Sequence, residues 1–128
     1  MRTTPLLLVL ALPLAASGCA VTAGAVAGYV LHKEANQTNV LAHVTYDYEE
    51  VWDVTKDVLD DLGAADLQVV EAIPREASAT YDGADVSVVV TAHDLDRTVI
   101  EITAERSGIA RPATAQRVLD EIIERLQD

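Results

Sequence analysis

The chain has no phenylalanine, one tryptophan, four tyrosines, one methionine and one cysteine in 128 residues. A core without Phe is built from Val, Leu, Ile and Ala, which gives little of the aromatic lining expected of a large ligand pocket. One cysteine cannot close an internal disulfide, so the fold has no covalent staple. Basic residues are also few: nine Lys plus Arg stand against 21 Asp plus Glu, a formal charge of −12. A chain this acidic repels nucleic-acid phosphates and anionic lipid headgroups, which argues against both as partners. Solubility or a salty habitat accounts for such a charge, and a surface made for a basic partner is the sharper alternative. The length admits one domain with a small core.

What charge there is avoids the N-terminus. Arg2 is the only charged residue among the first 18, and residues 5–16 are apolar. A positive start, an apolar run and small residues after it are the three parts of an export signal. The run closes on Ala16-Ser17-Gly18-Cys19, which resembles the lipobox of bacterial lipoproteins, with Ala16 where Leu is commoner. The resemblance implies cleavage between Gly18 and Cys19 and a diacylglyceryl thioether on the Cys19 sulfur. One acyl chain gives only marginal membrane binding, whereas two or three make a stable anchor. Ala20 follows the cysteine, where Asp resembles an inner-membrane retention signal. The expected location is therefore the outer membrane, with the domain facing the periplasm, or the cell membrane of a single-membrane source. The covalent lipid is the only expected prosthetic group, with no cofactor and no metal.

Residues 20–31 form a second apolar run in which Gly24 and Gly28 have the G-x-x-x-G spacing that lets membrane helices approach closely. Twelve helical residues reach only about 18 Å, short of the roughly 30 Å hydrocarbon core. The run is therefore a tether or a self-associating insertion beside the lipid. Residues 32–38 are polar and read as linker, so the expected organisation is signal peptide 1–18, lipidated tether 19–38 and folded domain 39–128.

In the folded part, residues 40–46 alternate as a strand does, with Val40, Ala42, Val44 and Tyr46 on one side and Leu41, His43 and Thr45 on the other. Asp47 is placed to cap a helix over 48–62, whose apolar stripe runs through Tyr48, Val51, Trp52, Val58, Leu59 and Leu62, and Gly63 is placed to end it. Strands are expected over 67–73, 76–81, 86–92 and 98–104, with Asp82-Gly83 as a hairpin turn and residues 93–96 as another turn. Pro112 opens a last helix with Ala115, Val118, Leu119, Ile122, Ile123 and Leu126 on its buried stripe. The order β-α-β-β-β-β-α predicts an α+β two-layer sandwich: a curled antiparallel sheet of about five strands with both helices on one face.

This layout resembles a family of small bacterial lipoproteins of unknown function. The shared pattern is a lipobox, a Gly/Ala-rich segment, a strand, a helix carrying Tyr48-Glu49-Glu50-Val51-Trp52, a Leu62-Gly63 helix end, the Asp-Gly hairpin and a closing helix. A Gly-rich segment often precedes that last helix, whereas Glu105-Arg106-Ser107-Gly108 has one glycine. The resemblance implies an anchored domain and no activity.

Candidate sites are few. With Cys19 committed to lipid there is no thiol nucleophile, and Ser78, Ser87 and Ser107 lack a strained-turn motif or an acid–His partner in register. His93, Asp94 and Asp96 in one turn, and Asp82 and Asp85 in another, match neither zinc nor calcium spacing and read as polar turn residues. The helix acids Glu49, Glu50, Asp53, Asp57, Asp60 and Asp61 read as solvated charge or as a docking face for a basic partner. Trp52 reads as a core anchor. Leu41, Val70, Val89 and Val99 are expected on the open face of the sheet, where an apolar patch would be an interaction surface. The expected function is a non-enzymatic envelope lipoprotein presenting a small interaction domain to an envelope protein. The alternative is a periplasmic carrier holding a small apolar ligand between sheet and helices, which would need a cavity of several hundred Å³ there.

Overall fold

The computed structural model describes residue 28 and residues 30–128. Gly18, Cys19 and the apolar segments through residue 27 lie outside the described residues. The elements are β1 Val30–Ala35, β2 Asn39–Val44, α1 Tyr48–Asp61, β3 Ala65–Val70, β4 Arg75–Tyr81, β5 Ala84–Asp94, β6 Arg97–Arg106, β7 Ile109–Ala110 and α2 Pro112–Gln127. The fold is α+β: one antiparallel open sheet in the order β1-β2-β6-β5-β4-β3, with β7 pairing the end of β6, and both helices on one face.

Local chemistry explains the joints. The Asp47 carboxylate accepts the backbone N–H groups of Glu49 and Glu50, so two of the free donors at the start of α1 are satisfied. Asp82 and Gly83 have φ of 53° and 71°, so both central residues of the β4–β5 hairpin lie in the left-handed region that its tight turn demands. Gly83 takes that conformation without the Cβ penalty.

The interior follows from alternation. Val40, Ala42 and Val44 of β2, Val86, Val88 and Val90 of β5 and Ile100, Ile102 and Ala104 of β6 point to one side, where α1 presents Val51, Trp52, Val58 and Leu59. Helix α2 adds Ala115, Val118, Leu119, Ile122, Ile123 and Leu126 to the same cluster. Its interhelix neighbour is α1, and Arg125 also pairs with Asp61 at 2.8 Å across that seam.

Two expectations are corrected. The sheet has seven strands rather than about five. The polar stretch read as linker over 32–38 is instead most of a hairpin: β1 pairs β2 with Lys33 opposite Ala42 and Glu34 opposite Leu41. The Asn36 side-chain carbonyl makes the turn by accepting the N–H groups of Thr38 and Asn39, each at 2.8 Å. The ordered sheet therefore begins at Val30, ahead of the expected boundary at residue 39. The other addition, β7, returns through Ser107-Gly108, whose φ values of 52° and 77° repeat the geometry of the Asp82-Gly83 turn.

Gly28 lies against Tyr46. A Cβ there would fall 2.6 Å from the Tyr46 ring and 2.8 Å from its backbone nitrogen. One glycine of the G-x-x-x-G pair thus lets the chain pass close to the end of β2. Among the described residues no helix is long and apolar enough to cross a membrane.

Candidate interaction surface

Among the described residues, helices cover only one side of the sheet, so the residues of opposite parity form a second face with no helix on it. Leu41, Val89 and Val99 are half-buried on it, and Val70, on the edge strand β3, is 51% exposed. The strand registers place these residues in rows. One row crosses the sheet from β1 to β3 as Glu34, Leu41, Glu101, Val89, Glu76 and Val70. Acidic and aliphatic residues alternate along it without a break.

The four apolar residues are on the face expected, but they do not form one continuous patch. Glu101 stands between Leu41 and Val89, and Glu76 between Val89 and Val70. Val99 sits in the next row, opposite His43 and Thr91, so Leu41, Val89 and Val99 surround Glu101 while Val70 is separate at the edge. The two inner acids are held in place. Asn39 Nδ2 donates to Glu101 Oε1 at 2.9 Å, and Ser87 Oγ donates to Glu76 Oε1 at 2.8 Å. Those donors belong to a polar row made of Asn39, Thr103, Ser87, Ser78 and Gln68. Ser87 thus has a local structural partner, and Ser107 lies in the β6–β7 turn.

At the other end of the face all three histidines of the chain come together. The His32 and His43 ring centroids are 6.1 Å apart, and those of His43 and His93 are 6.2 Å apart. His43 Nδ1 and Arg97 Nε are buried without a hydrogen-bond partner, and both residues line a cleft of about 340 Å³ with Leu31 and His32. As the side chains stand, no three His, Cys, Asp or Glu among the described residues are close enough together to hold a metal ion. Asp94 accepts the backbone N–H of Asp96 at 2.9 Å, a turn role. Asp82 pairs with Arg117 at 3.6 Å, and Asp85 is exposed on the open face.

The acids of α1 are exposed and partly answered. Glu49 pairs with Arg75 at 2.6 Å, Asp53 with Lys56 at 3.6 Å and Asp61 with Arg125. The Arg75 guanidinium is held above its ordinary pKa, first by the hydrogen bond from its side chain to Glu49. It also lies over the rings of Tyr48 and Trp52. Trp52 is 1% exposed, and its indole N–H donates to Glu71 Oε2 at 2.9 Å. The Tyr48–Trp52 element therefore joins the core to a surface ion-pair network. Tyr46 titrates above its ordinary value because burial disfavours the phenolate and the Glu50 charge adds to that effect.

Clefts of about 340–660 Å³ open at the surface. The largest is lined by residues such as Tyr46, Tyr48, Ala92 and Leu95 at the β2–α1 end. Between sheet and helices, Val40, Leu59, Val88, Ile100, Leu119 and Ile122 are fully buried and in mutual contact as one cluster. No family model and no curated protein matches the chain.

Proposed function

We propose that the chain is a lipid-anchored, non-enzymatic envelope lipoprotein whose small α+β domain presents its open sheet face to an envelope protein. The reading places a diacylglyceryl thioether on Cys19 after cleavage behind Gly18, in the layout of the small bacterial lipoprotein family. The observation that carries the interaction role is the alternating row Glu34-Leu41-Glu101-Val89-Glu76-Val70 on a face that no described element covers. Carboxylates fixed between aliphatic side chains suit a partner that alternates basic and apolar residues, because unlike charges and apolar contacts then coincide at one register. A filled interior supports this role over that of a carrier between sheet and helices.

Two measurements test it. In cells fed a clickable fatty acid, the wild type takes up label and fractionates with membranes, and Cys19→Ala does neither. Label on Cys19→Ala would sink the anchor. A photo-crosslinking residue at position 89 or 99 gives a discrete adduct in intact envelopes, and one at position 57 on α1 does not. The adduct disappears in the Glu76→Lys/Glu101→Lys double variant. Equal crosslinking from positions 57 and 89, or an adduct indifferent to the charge reversal, would overturn the docking face.

A further inference from the structure

We propose that the free edge of β3 takes an extended segment of another protein as an added strand, one whose side chains alternate between apolar and basic. Strand β3 ends the sheet and pairs only β4, so alternate residues turn N–H and C=O groups outward with no strand opposite. All six of its residues are exposed. Four of the seven large apolar side chains left exposed among the described residues lie on β3 or in the loop after it: Leu67, Val69, Val70 and Ile73.

The opposite edge is built differently. Strand β1 carries His32, Lys33 and Glu34, the kind of charge that blunts an edge. Strand β3 has one charged residue, Asp66, at the irregularity between Ala65 and Gln68, where its φ is 55°. Residues 67–70 are therefore an uncharged, proline-free template for pairing.

The two sides of this template set the pattern of its partner. Val69 is opposite Ala77, a core residue, and so lies on the helix side, yet it is 38% exposed, as is Leu67. The helices rest on β1, β2, β4, β5 and β6 and leave this margin bare, so apolar side chains of an added strand would cover it. On the open side, β3 borders a groove of about 570 Å³ whose lining includes Asp66, Asp85 and Glu105. Glu76, opposite Val70, is on the same side. None of these four carboxylates is in an ion pair among the described residues. With strands about 4.8 Å apart, a Lys or Arg on the added strand reaches Asp66 and Glu76. Asp85 and Glu105, two and three strands further in, attract it through their field, which salt screens over about 8–10 Å. A second copy of this chain fits poorly, because its own β3 would bring Asp66 and no basic residue to the groove.

This edge is separate from the centre of the open face, and the inference stands whether or not that face docks a partner. The test is fluorescence anisotropy of a labelled synthetic peptide alternating lysine and valine, titrated with the full chain in a mild detergent. Binding should saturate with a dissociation constant of about 1 mM or tighter, and weaken as salt is added. A peptide with glutamate in place of lysine should not bind. Amide exchange should slow at residues 67–70 and stay unchanged in β1. Val69→Lys should weaken binding about tenfold, by removing apolar contact on the helix side. Asp66→Asn should weaken it about threefold and flatten the salt dependence. Both positions are exposed, so far-UV spectra should match the wild type; should Val69→Lys alter the spectrum, Asp66→Asn and the exchange map decide. No saturable binding, equal binding of the glutamate peptide, or protection outside β3 would overturn the site. A dimer that protects β3 without peptide would give the edge to a second copy and overturn the basic partner.

Discussion

Replacing Trp52 tests how the core is coupled to the charged network above it. The indole is 1% exposed, so its removal to Ala leaves a cavity that large-to-small series place at about 3–5 kcal/mol. Phe keeps one ring and most of the packing, and the lost pyrrole half costs about 1–2 kcal/mol by the same scale. The 2.9 Å hydrogen bond to Glu71 is a separate contribution. Glu71 is 59% exposed, so its carboxylate rehydrates freely once the indole N–H is gone, and the bond is worth only about 1 kcal/mol. Trp52→Phe should therefore lose about 2–3 kcal/mol in all. Glu71→Ala should lose about 1 kcal/mol, since the indole donor is then left without its acceptor. Urea unfolding of both single variants and the double variant, followed by far-UV circular dichroism, gives the coupling directly, and about 1 kcal/mol is expected. Glu71→Gln should recover most of the loss because an amide oxygen still accepts from the indole. Strict additivity of the two substitutions would refute the reasoning and leave Trp52 as an apolar anchor alone.

Three further perturbations follow from particular contacts. Thr98 is buried and its hydroxyl donates to the Tyr46 carbonyl at 2.9 Å, between chain positions far apart. Thr98→Val should therefore cost about 1 kcal/mol in urea unfolding, whereas Thr55→Val should change stability by less than about 0.5 kcal/mol, since the Thr55 hydroxyl bonds only the Val51 carbonyl one turn back. Gly28→Ala would drive a methyl group into the Tyr46 backbone nitrogen at 2.8 Å, which cannot rotate away. It should cost about 1–3 kcal/mol and speed amide exchange in β1. Tyr46 holds its proton more tightly when folded than when unfolded. Its contribution to stability is therefore full below about pH 10 and is lost as pH rises through the folded pKa, so unfolding free energy should fall in that alkaline range and do so less in Tyr46→Phe.

Helices and inner strands were legible because their burial is one-sided. The stripe through Val51, Trp52, Val58 and Leu59 and the alternation of β2, β5 and β6 each repeat a period that only one element type satisfies. Strand β1 was not legible for the converse reason: it is an edge strand exposed almost throughout, so Leu31-His32-Lys33-Glu34 carries no period at all. Its signal lay in Asn36, whose side chain closes the turn, and in the return strand that begins three residues beyond at Asn39. The candidate face shows a different limit. Parity alone put Leu41, Val70, Val89 and Val99 on one side, yet which residues stand between them depends on register. Glu101 separates Leu41 from Val89 because β6 lies between β2 and β5, a neighbour relation that no local pattern encodes. The histidine group is hidden in the same way, since positions 32, 43 and 93 meet only through sheet order.

The place where the sheet begins constrains the proposed anchor. With the lipid on Cys19, as proposed, and β1 opening at Val30, at most residues 20–29 would connect membrane and domain. At no more than about 3.6 Å per residue, that connection spans at most about 35 Å. A tether running to residue 38 would reach nearly twice as far, so the Asn36 hairpin shortens the leash by folding its second half into the sheet. On the proposed anchor, a domain this acidic would be repelled by anionic headgroups and yet held within that distance of them. On that reading, the partner proposed for the Glu34–Val70 row would be one within this reach of the membrane. Basic residues close to the bilayer would attract both that row and the headgroups, so the same partner chemistry satisfies the face and relieves the repulsion.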